Sequence, residues 1–483
     1  MNVGRYILFG LGQVGLMCLM RFFFMWILDF STLEDKNDGT STVLFLGSAV
    51  GGTLLIFRFL DGITDPVAGA LSDNMVSKGK TRQQLLKYFF LLPAIGLILC
   101  FTPDHSMVTS LRWAFLVGGM VIFFIGYTFY AIPYWSLIDD YSQGNENQRR
   151  ILSNILGAGI LIATGIGFAV SPMLIDKYGY FKSAIYFAIP SFVLMILPFF
   201  AAPKKDHIPE TIDETSYDPI PKSKTEGELE EEITANESTE LPKWMTKLKG
   251  IPFVDKRFLA TLILIWGLFA MFKESLKNKK FLAILFIFSG SNMSFTIMTS
   301  AAPFIAVNLL DGTKADVAKI MVPLLGLAIP FFIIVPYLSK KWGWQKAIVG
   351  SSIVLGVVYV ACMFLGITII KSPMLTAQII FALAGPMIAV LLGIEGEAIT
   401  ACAKEQGGKS VSIYFGLYNM VVKAMNGLAL LITGILIDMI NVRGNLPVKL
   451  MPVIAGSCLF LGVIGYFIVM RGEKVKTDLQ QEP

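Results

Sequence analysis

The stretch YILFGLGQVGLMCLMRFFFMWILDF, residues 6–30, decides the fold class of this chain. It follows Arg5 at once and is almost continuously apolar, with no small-residue cleavage pattern after it, so we expect a retained membrane helix. About 20 apolar residues in a helix cross a bilayer core. Comparable runs lie near 5–29, 43–70, 86–102, 112–138, 151–172, 183–202, 280–308, 318–338, 345–367, 375–400, 410–438 and 449–470. The predicted fold class is an all-α membrane protein with twelve transmembrane helices in two six-helix bundles.

The composition agrees with lipid as the main solvent. Hydrophobic residues make up 54% of the 483 residues, charged residues make up 16%, and the mean hydropathy is +0.65. The net charge is +5, but the basic residues lie in short loops and form no contiguous patch, so nucleic acid is not an expected partner. The five cysteines have no CxxC spacing, and only His105 and His207 are present, which disfavours disulfides, a zinc site and histidine-based catalysis. The sequence contains no recognisable nucleophile–base pair, so we expect a monomeric protein that is not an enzyme and has no cofactor.

Residues between the two groups of spans have a different character. Residues 203–257 contain prolines and an acidic run, and we interpret them as a polar cytoplasmic linker between bundles at 1–202 and 258–472. The apolar segment 258–272 is too short to span, so an interfacial helix is favoured over a thirteenth span. Residues 473–483 are expected to form a cytoplasmic tail.

Basic residues in short loops predict the orientation. The loop after the second span carries Lys78, Lys80 and Arg82, the loop after the fourth carries Arg149, and the loop after the eighth carries Lys340. We expect these loops, the linker and both termini to lie in the cytoplasm, with the protein in the cell (inner) membrane.

The second span contains RFLDGITDPVAG at 58–69. Asp61, Thr64 and Asp65 are spaced i, i+3 and i+4, so their oxygens lie on one helix face and can share a small cation, Na⁺ or H⁺. Two acids on one face of a membrane helix are costly unless a cation lies between them. The alternative is a structural ion network in which Arg58 and a lysine neutralise the aspartates.

Further polar residues lie in the other spans. We place Asp73 at the helix end as a structural lock on the basic loop, and we assign Arg58 and Arg82 to the same structural or gating group. In the fourth span, Tyr127, Tyr134 and Trp135 are candidates to stack on a sugar ring, or else they form an aromatic belt at the interface. Thr128 is a candidate cation ligand.

The eleventh span contains Lys423 near mid-membrane, where it needs an acidic partner and a polar cavity. It is the expected countercharge of Asp61 and Asp65, with a purely structural ion pair as the alternative. Asn419 of the same span and Arg21 of the first span are assigned to the substrate cavity. Glu395 and Glu397 are expected toward its cytoplasmic mouth.

RFLDGITDPVAG (58–69), YTFYAIPYWSL (127–137) and MVVK (420–423) resemble signature segments of the glycoside-pentoside-hexuronide:cation symporters, the melibiose-permease-like branch of the major facilitator superfamily. The resemblance implies that Asp61, Asp65 and Thr128 bind the coupling cation. It further implies that Lys423 links the cation and sugar sites, and that Tyr127 and Trp135 line the sugar pocket.

The chain also departs from that family pattern. Gln13 and Ala131 stand where the melibiose-permease pattern has aspartates, and the fifth span lacks the arginine expected early in that helix. A related branch that moves lysophospholipids keeps the aspartate motif and the lysine. The predicted function is therefore cation-coupled symport of a sugar or glycoside by alternating access. A lysophospholipid substrate is the runner-up, and a channel or scramblase comes after it.

Overall fold

The computed structural model describes residues 3–34, 42–77, 79–142, 145–201, 276–365, 372–405 and 411–481. The predicted linker at 203–257 and the segment at 258–272 lie outside these residues.

The described parts of the chain are helical, apart from short connections and one isolated bridge between Glu34 and Val43. The helices of the first half are α1 (Val3–Ser31), α2 (Gly47–Ser77), α3 (Arg82–Phe89), α4 (Leu92–Cys100), α5 (Thr109–Ser142) and α6 (Glu146–Ile196). Those of the second half are α7 (Lys279–Phe304), α8 (Asp316–Trp342), α9 (Trp344–Ala361), α10 (Pro373–Glu405), α11 (Val411–Asp438), the short α12 (Ile440–Arg443) and α13 (Leu446–Gln481).

The helices account for the twelve predicted crossings. Within the described residues, ten helical stretches are long and apolar enough to cross a membrane. One of them, at 147–200, holds two crossings, because Gly179 interrupts α6 with a φ of 73° that only glycine adopts easily. The ten stretches thus supply eleven crossings, and the 31-residue α2 supplies the twelfth. Helix α2 is not among the ten stretches, and its arginine and aspartates lower its hydropathy. The predicted fold class is confirmed, and α3 with α4 together form one crossing.

Helices α2 and α11 form the closest contact between the two halves. A Cβ atom on Gly434 would lie 2.1 Å from the carbonyl oxygen of Gly47, and one on Gly427 would lie 2.8 Å from Cα of Leu55. Such distances leave no room for a side chain, so glycine is required at both positions of α11. Helix α6 also packs on α8, and α1 packs on α7.

Polar contacts join the halves at the membrane face opposite the basic loops, which we call the far face. There Lys314 Nζ lies 3.0 Å from Asp29 Oδ2, and Lys314 also donates to the hydroxyl of Tyr180. Asp438 accepts hydrogen bonds from the amides of Gly47 and Ser48 at 2.6 and 2.9 Å. A carboxylate at the start of α2 is also favoured by the helix dipole. The halves are therefore tied together at the far face.

At the basic face, the described residues include polar contacts within each half. Arg82 pairs with Asp140 in the first half. Glu397 accepts hydrogen bonds from Ser339 at 2.7 and 2.9 Å in the second half.

Candidate functional site

The acidic face of α2 lies at the interface between the halves. Asp61 is only 2% exposed, and its two carboxylate oxygens have different partners. Arg58 Nη1 lies 2.7 Å from Asp61 Oδ2, and the hydroxyl of Thr128 donates to Asp61 Oδ1 at 2.5 Å. The i, i+3 spacing of Arg58 and Asp61 places both on one side of α2, and α5 supplies Thr128.

Lys423 of α11 reaches this face from the other half. Its Nζ lies 2.5 Å from Asp65 Oδ2 and 3.1 Å from Asp61 Oδ2, so one ammonium bridges both carboxylates. Together with Arg58, the cluster contains two acids and two bases. The ammonium of Lys423 therefore occupies the position between the two acids where a mobile cation was expected. In this structure the four side chains form an ion network, which was the alternative expectation.

Two buried atoms of this cluster have no hydrogen-bond partner among the residues that the structure describes. They are Asp65 Oδ1 and Arg58 Nε. A buried carboxylate oxygen without a donor costs about 1–3 kcal/mol, and more when the group is charged. A proton or a small cation placed at Asp65 Oδ1 would remove that cost.

Thr64 has a different role in the structure from its two neighbours. Its hydroxyl donates to the backbone carbonyl of Asp61 at 3.1 Å, so the hydroxyl hydrogen points along the helix rather than at a carboxylate. Helix α2 continues unbroken through Pro66. In the described part of the chain, no group of three or more His, Cys, Asp or Glu side chains is placed to hold a metal. Any bound cation would thus need hydroxyl or carbonyl oxygens beside the two carboxylates.

Gln13 and Trp135 are paired in the first half. Trp135 Nε1 donates to Gln13 Oε1 at 2.9 Å, and Gln13 is 1% exposed. A Cβ on Gly159 of α6 would lie 2.9 Å from Cβ of Gln13, so that glycine makes room for the amide. Tyr127 is buried as well, whereas Tyr134 is packed in the bundle with its hydroxyl donating to the carbonyl of Phe9. Trp135 remains partly exposed, so its ring has an accessible surface.

Arg21 of α1 lies at a second place where the two halves meet. Its Nε donates to the hydroxyl of Thr164 at 3.0 Å, and its guanidinium lies 5.5 Å from the ring centre of Phe295 in α7. Sequence reasoning missed Thr164 and Phe295, because a threonine or phenylalanine in an apolar run has no distinctive pattern.

The structure gives the remaining predicted residues different surroundings. Asn419 is exposed, and Arg82 lies at the basic face with Asp140. Asp73 belongs to α2, but its side chain lies outside the described residues. Glu395 of α10 lies beside the hydroxyl of Tyr418 in α11.

A cavity between the halves is separate from the acidic cluster. It has a volume of about 920 Å³ and opens at the far face between the halves, where Asp29, Arg112, Lys314 and Asp438 are among the residues that line it. None of the aspartate, arginine or lysine residues of the cluster contributes to its lining. The candidate site is thus defined by its charged side chains and not by the volume of a cavity.

Comparisons with known proteins agree with this architecture. The Major Facilitator Superfamily profile matches residues 14–430. The chain is 32% identical over 139 residues to "Uncharacterized symporter YjmB" of Bacillus subtilis (strain 168), covering 27% of this chain and 29% of that protein. It is 27% identical over 176 residues to "Putative glycoside/cation symporter YagG" of Escherichia coli (strain K12), covering 34% and 37%. The matched stretches thus span about a third of these relatives.

Solved structures show the same fold at low sequence identity. An auto-inhibited POT family peptide transporter has a TM-score of 0.64 at 12% identity, covering 97% of this chain and 96% of that one. The nucleoside transporter NupG has a TM-score of 0.61 at 14% identity, covering 97% and 99%. The resemblance found in the sequence is confirmed for the superfamily and is consistent with the two named symporters. The chain is an integral multi-pass membrane protein and belongs to the Major Facilitator Superfamily.

Proposed function

We propose that the protein is a cation-coupled symporter that moves a sugar or glycoside by alternating access. The observation that carries the proposal is Asp65 Oδ1, which has no hydrogen-bond partner among the described residues and is buried beside a lysine that bridges Asp61 and Asp65 from the other half. A buried carboxylate that lacks one donor is a binding place for a proton or Na⁺.

The coupling follows from competition for the same oxygens. A cation bound between Asp61 and Asp65 replaces the Lys423 ammonium, which then requires another partner in the cavity. Since Lys423 belongs to α11 and the aspartates belong to α2, the exchange changes the contact between the halves. A ligand shifts the balance between two conformations only by binding them differently, and this exchange supplies such a difference.

The substrate class is inferred from the first half and from the relatives. The exposed surface of the Trp135 ring can pack on the C–H face of a sugar, and Gln13 holds the indole in place. The printed name of YagG mentions a glycoside and a cation. We place the protein in the cell membrane with both termini in the cytoplasm and with the coupling ion, Na⁺ or H⁺, as its second transported partner.

The test is uptake into proteoliposomes under an imposed Na⁺ or proton gradient, with labelled sugars, glycosides and lysophospholipids as separate arms. Asp65→Asn should abolish cation-stimulated uptake, whereas the exposed Asp176 of α6, changed to Asn, serves as the matched control. Full cation stimulation in Asp65→Asn would refute the cation assignment. Movement of lysophospholipid alone would refute the sugar assignment, and failure to accumulate any solute against its gradient would favour a channel or scramblase.

A further inference from the structure

The far-face cavity has no part in the proposed coupling. Its volume of about 920 Å³ is in the range of the pockets in which proteins bind small molecules. Helix α5 of the first half and α12 of the second half both supply residues to its lining, so it lies between the two halves. Because none of the charged side chains of the central cluster lines it, a solute bound there occupies a place distinct from Asp61 and Asp65.

Most of the charged side chains that line this cavity are engaged by the protein itself. Lys314 pairs with Asp29 at 3.0 Å, and Asp438 accepts hydrogen bonds from two backbone amides of α2. Arg112 donates to two backbone carbonyls at 2.7 and 2.8 Å. The remaining charge among the described lining residues is Glu34, which is exposed. An ionic ligand would have to compete with these contacts, whereas a neutral ligand leaves them in place.

Neutral polar side chains of the lining are not engaged in this way. Across the described ranges, the indole N–H of the partly exposed Trp113 has no acceptor. Thr109 lies four residues earlier on the same face of α5, and its exposed hydroxyl has no partner in those ranges either. In the second half, the amide of Asn308 uses Nδ2 to donate to the carbonyl of Phe304 at 3.1 Å, so its Oδ1 is available. The amide of Asn441 is exposed and makes no hydrogen bond to a described residue.

These groups match the chemistry of a sugar ring. Each hydroxyl of a sugar both donates and accepts, and the lining offers an indole donor, a hydroxyl and two amides at which such groups can bind. The C–H face of a sugar can pack on an aromatic ring, and the ring of Trp113 is held by an edge contact with Phe45 at a centroid distance of 4.9 Å. A neutral polyhydroxylated molecule also needs no countercharge from the protein.

We infer that the far-face cavity is a second binding site, and that its ligand is a neutral polyhydroxylated solute that enters from the far face. The inference goes beyond the proposed function, since it does not depend on transport through the central cluster. Because Trp113 belongs to the first half and Asn441 to the second, a bound solute contacts both halves. A ligand favours the conformation that it binds best, so occupancy of this cavity favours the closed far face.

Binding is tested by tryptophan fluorescence of the purified full-length protein. The probes are methyl α-D-glucoside, methyl β-D-galactoside and xylose, with glucose 6-phosphate and glucosamine as charged counterparts. At least one neutral probe should change the fluorescence, and part of that change should disappear in Trp113→Phe. Thr109→Val combined with Asn441→Leu should weaken this binding by about tenfold or more, because it removes two hydrogen-bonding groups. Asn147→Leu, at an exposed asparagine in the first turn of α6, is the matched control.

The effect on the far face is tested in proteoliposomes with a transported probe added outside. Uptake by wild-type protein should pass through a maximum and decline at high concentration, because the second site then holds the far face closed. The double variant of Thr109 and Asn441 should lose the decline, and Asn147→Leu should retain it. Uptake that saturates without any decline in wild type contradicts the effect on the far face.

The outcomes separate this site from the proposed function. Absence of any Trp113-dependent change with all three neutral sugars overturns the site. Unchanged binding in a double variant that melts at the wild-type temperature overturns the assignment to this cavity. Tighter binding of glucose 6-phosphate or glucosamine than of every neutral sugar overturns the ligand class. Trp113-dependent binding by a protein that accumulates no solute on a cation gradient supports the site and refutes the proposed function. Cation-driven accumulation without such binding does the reverse.

Discussion

Removing the Lys423 ammonium tests the competition on which the proposed coupling depends. In Lys423→Ala, Asp61 and Asp65 lose the group that bridges them and keep only Arg58 as a countercharge. We expect this variant to bind Na⁺ or protons more tightly than wild type and to lose coupled transport, while the protein still inserts.

The expected magnitude follows from the burial of the three side chains. The side chains of Lys423, Asp65 and Asp61 are 13%, 14% and 0% exposed, so the contacts at 2.5 and 3.1 Å are largely removed from water. Breaking such a buried pair costs about 3–5 kcal/mol. In wild type, an incoming cation must displace the Lys423 ammonium, and the free energy of breaking that contact is subtracted from the free energy of cation binding. In Lys423→Ala there is no ammonium to displace. Taking about 3 kcal/mol, the apparent cation affinity should rise about 100-fold, because each 1.4 kcal/mol is a factor of ten.

The assay is thermal unfolding of the detergent-purified protein, followed by fluorescence of its seven tryptophans. Melting temperatures are recorded against Na⁺ concentration at constant ionic strength, and separately against pH. Lys423→Ala combined with Asp65→Asn restores a one-to-one charge balance and should lose the tight cation response. Lys319→Ala, at a 62% exposed lysine, is the matched control. An unchanged half-saturating concentration in both titrations of well-folded Lys423→Ala would refute the competition.

Three further predictions concern the contacts around this site. Gly434→Ala should destabilise the closed far face by about 1–3 kcal/mol, since its Cβ would overlap the carbonyl oxygen of Gly47, and the shift is measured as a lower melting temperature. Lys314→Ala removes the pairing with Asp29 and should increase maleimide labelling of a cysteine placed at Asn308, which lines the far-face cavity. Trp135→Phe should lower stability by about 1–3 kcal/mol in thermal unfolding, because it leaves the buried amide of Gln13 without its donor.

Two of these predictions have a matched control, and the third has an outcome that would contradict it. Gly416 of α11 has nothing within 4 Å of an added Cβ, so Gly416→Ala should be tolerated, and equal losses in both glycine variants would contradict the close-packing argument. Lys319→Ala should leave labelling at position 308 unchanged, and equal labelling in the two lysine variants would contradict a role for Lys314 in holding the far face. For Trp135, an unchanged melting temperature of the Phe variant would show that the amide finds another partner.

Most of the fold could be predicted from the sequence, because a long apolar run indicates a helix that is surrounded by lipid or by other apolar helices. The exception is the junction of the fifth and sixth spans, where the sequence predicts a connecting segment outside the membrane helices at 173–182. The structure has one helix there, α6, interrupted at Gly179. Residues such as Asp176 and Lys177 lower the local hydropathy, but they do not prevent a helix from continuing.

The candidate site was predicted only in part. The helical spacing of Asp61 and Asp65 is a local property, so the shared face could be derived from the motif alone. The charge of Lys423 required a partner in the membrane, and this also pointed to the aspartates. Two details could not be derived, because both depend on how α11 packs on α2. They are the contact of one Lys423 ammonium with both acids and the lack of a donor for Asp65 Oδ1 among the described residues.

The sequence by itself determined which segments lie in the membrane and which membrane residues carry a charge that needs a partner. Only the tertiary structure decided the geometry of each pairing and the partners to which no sequence pattern pointed. It placed the ammonium of Lys423 against both Asp61 and Asp65, paired Asp438 with the amides at the start of α2, and gave Arg21 the hydroxyl of Thr164 as a partner. The physical reason is that hydropathy is a property of each residue with its solvent, whereas an ion pair across 358 positions of the chain exists only when two helices pack in one register.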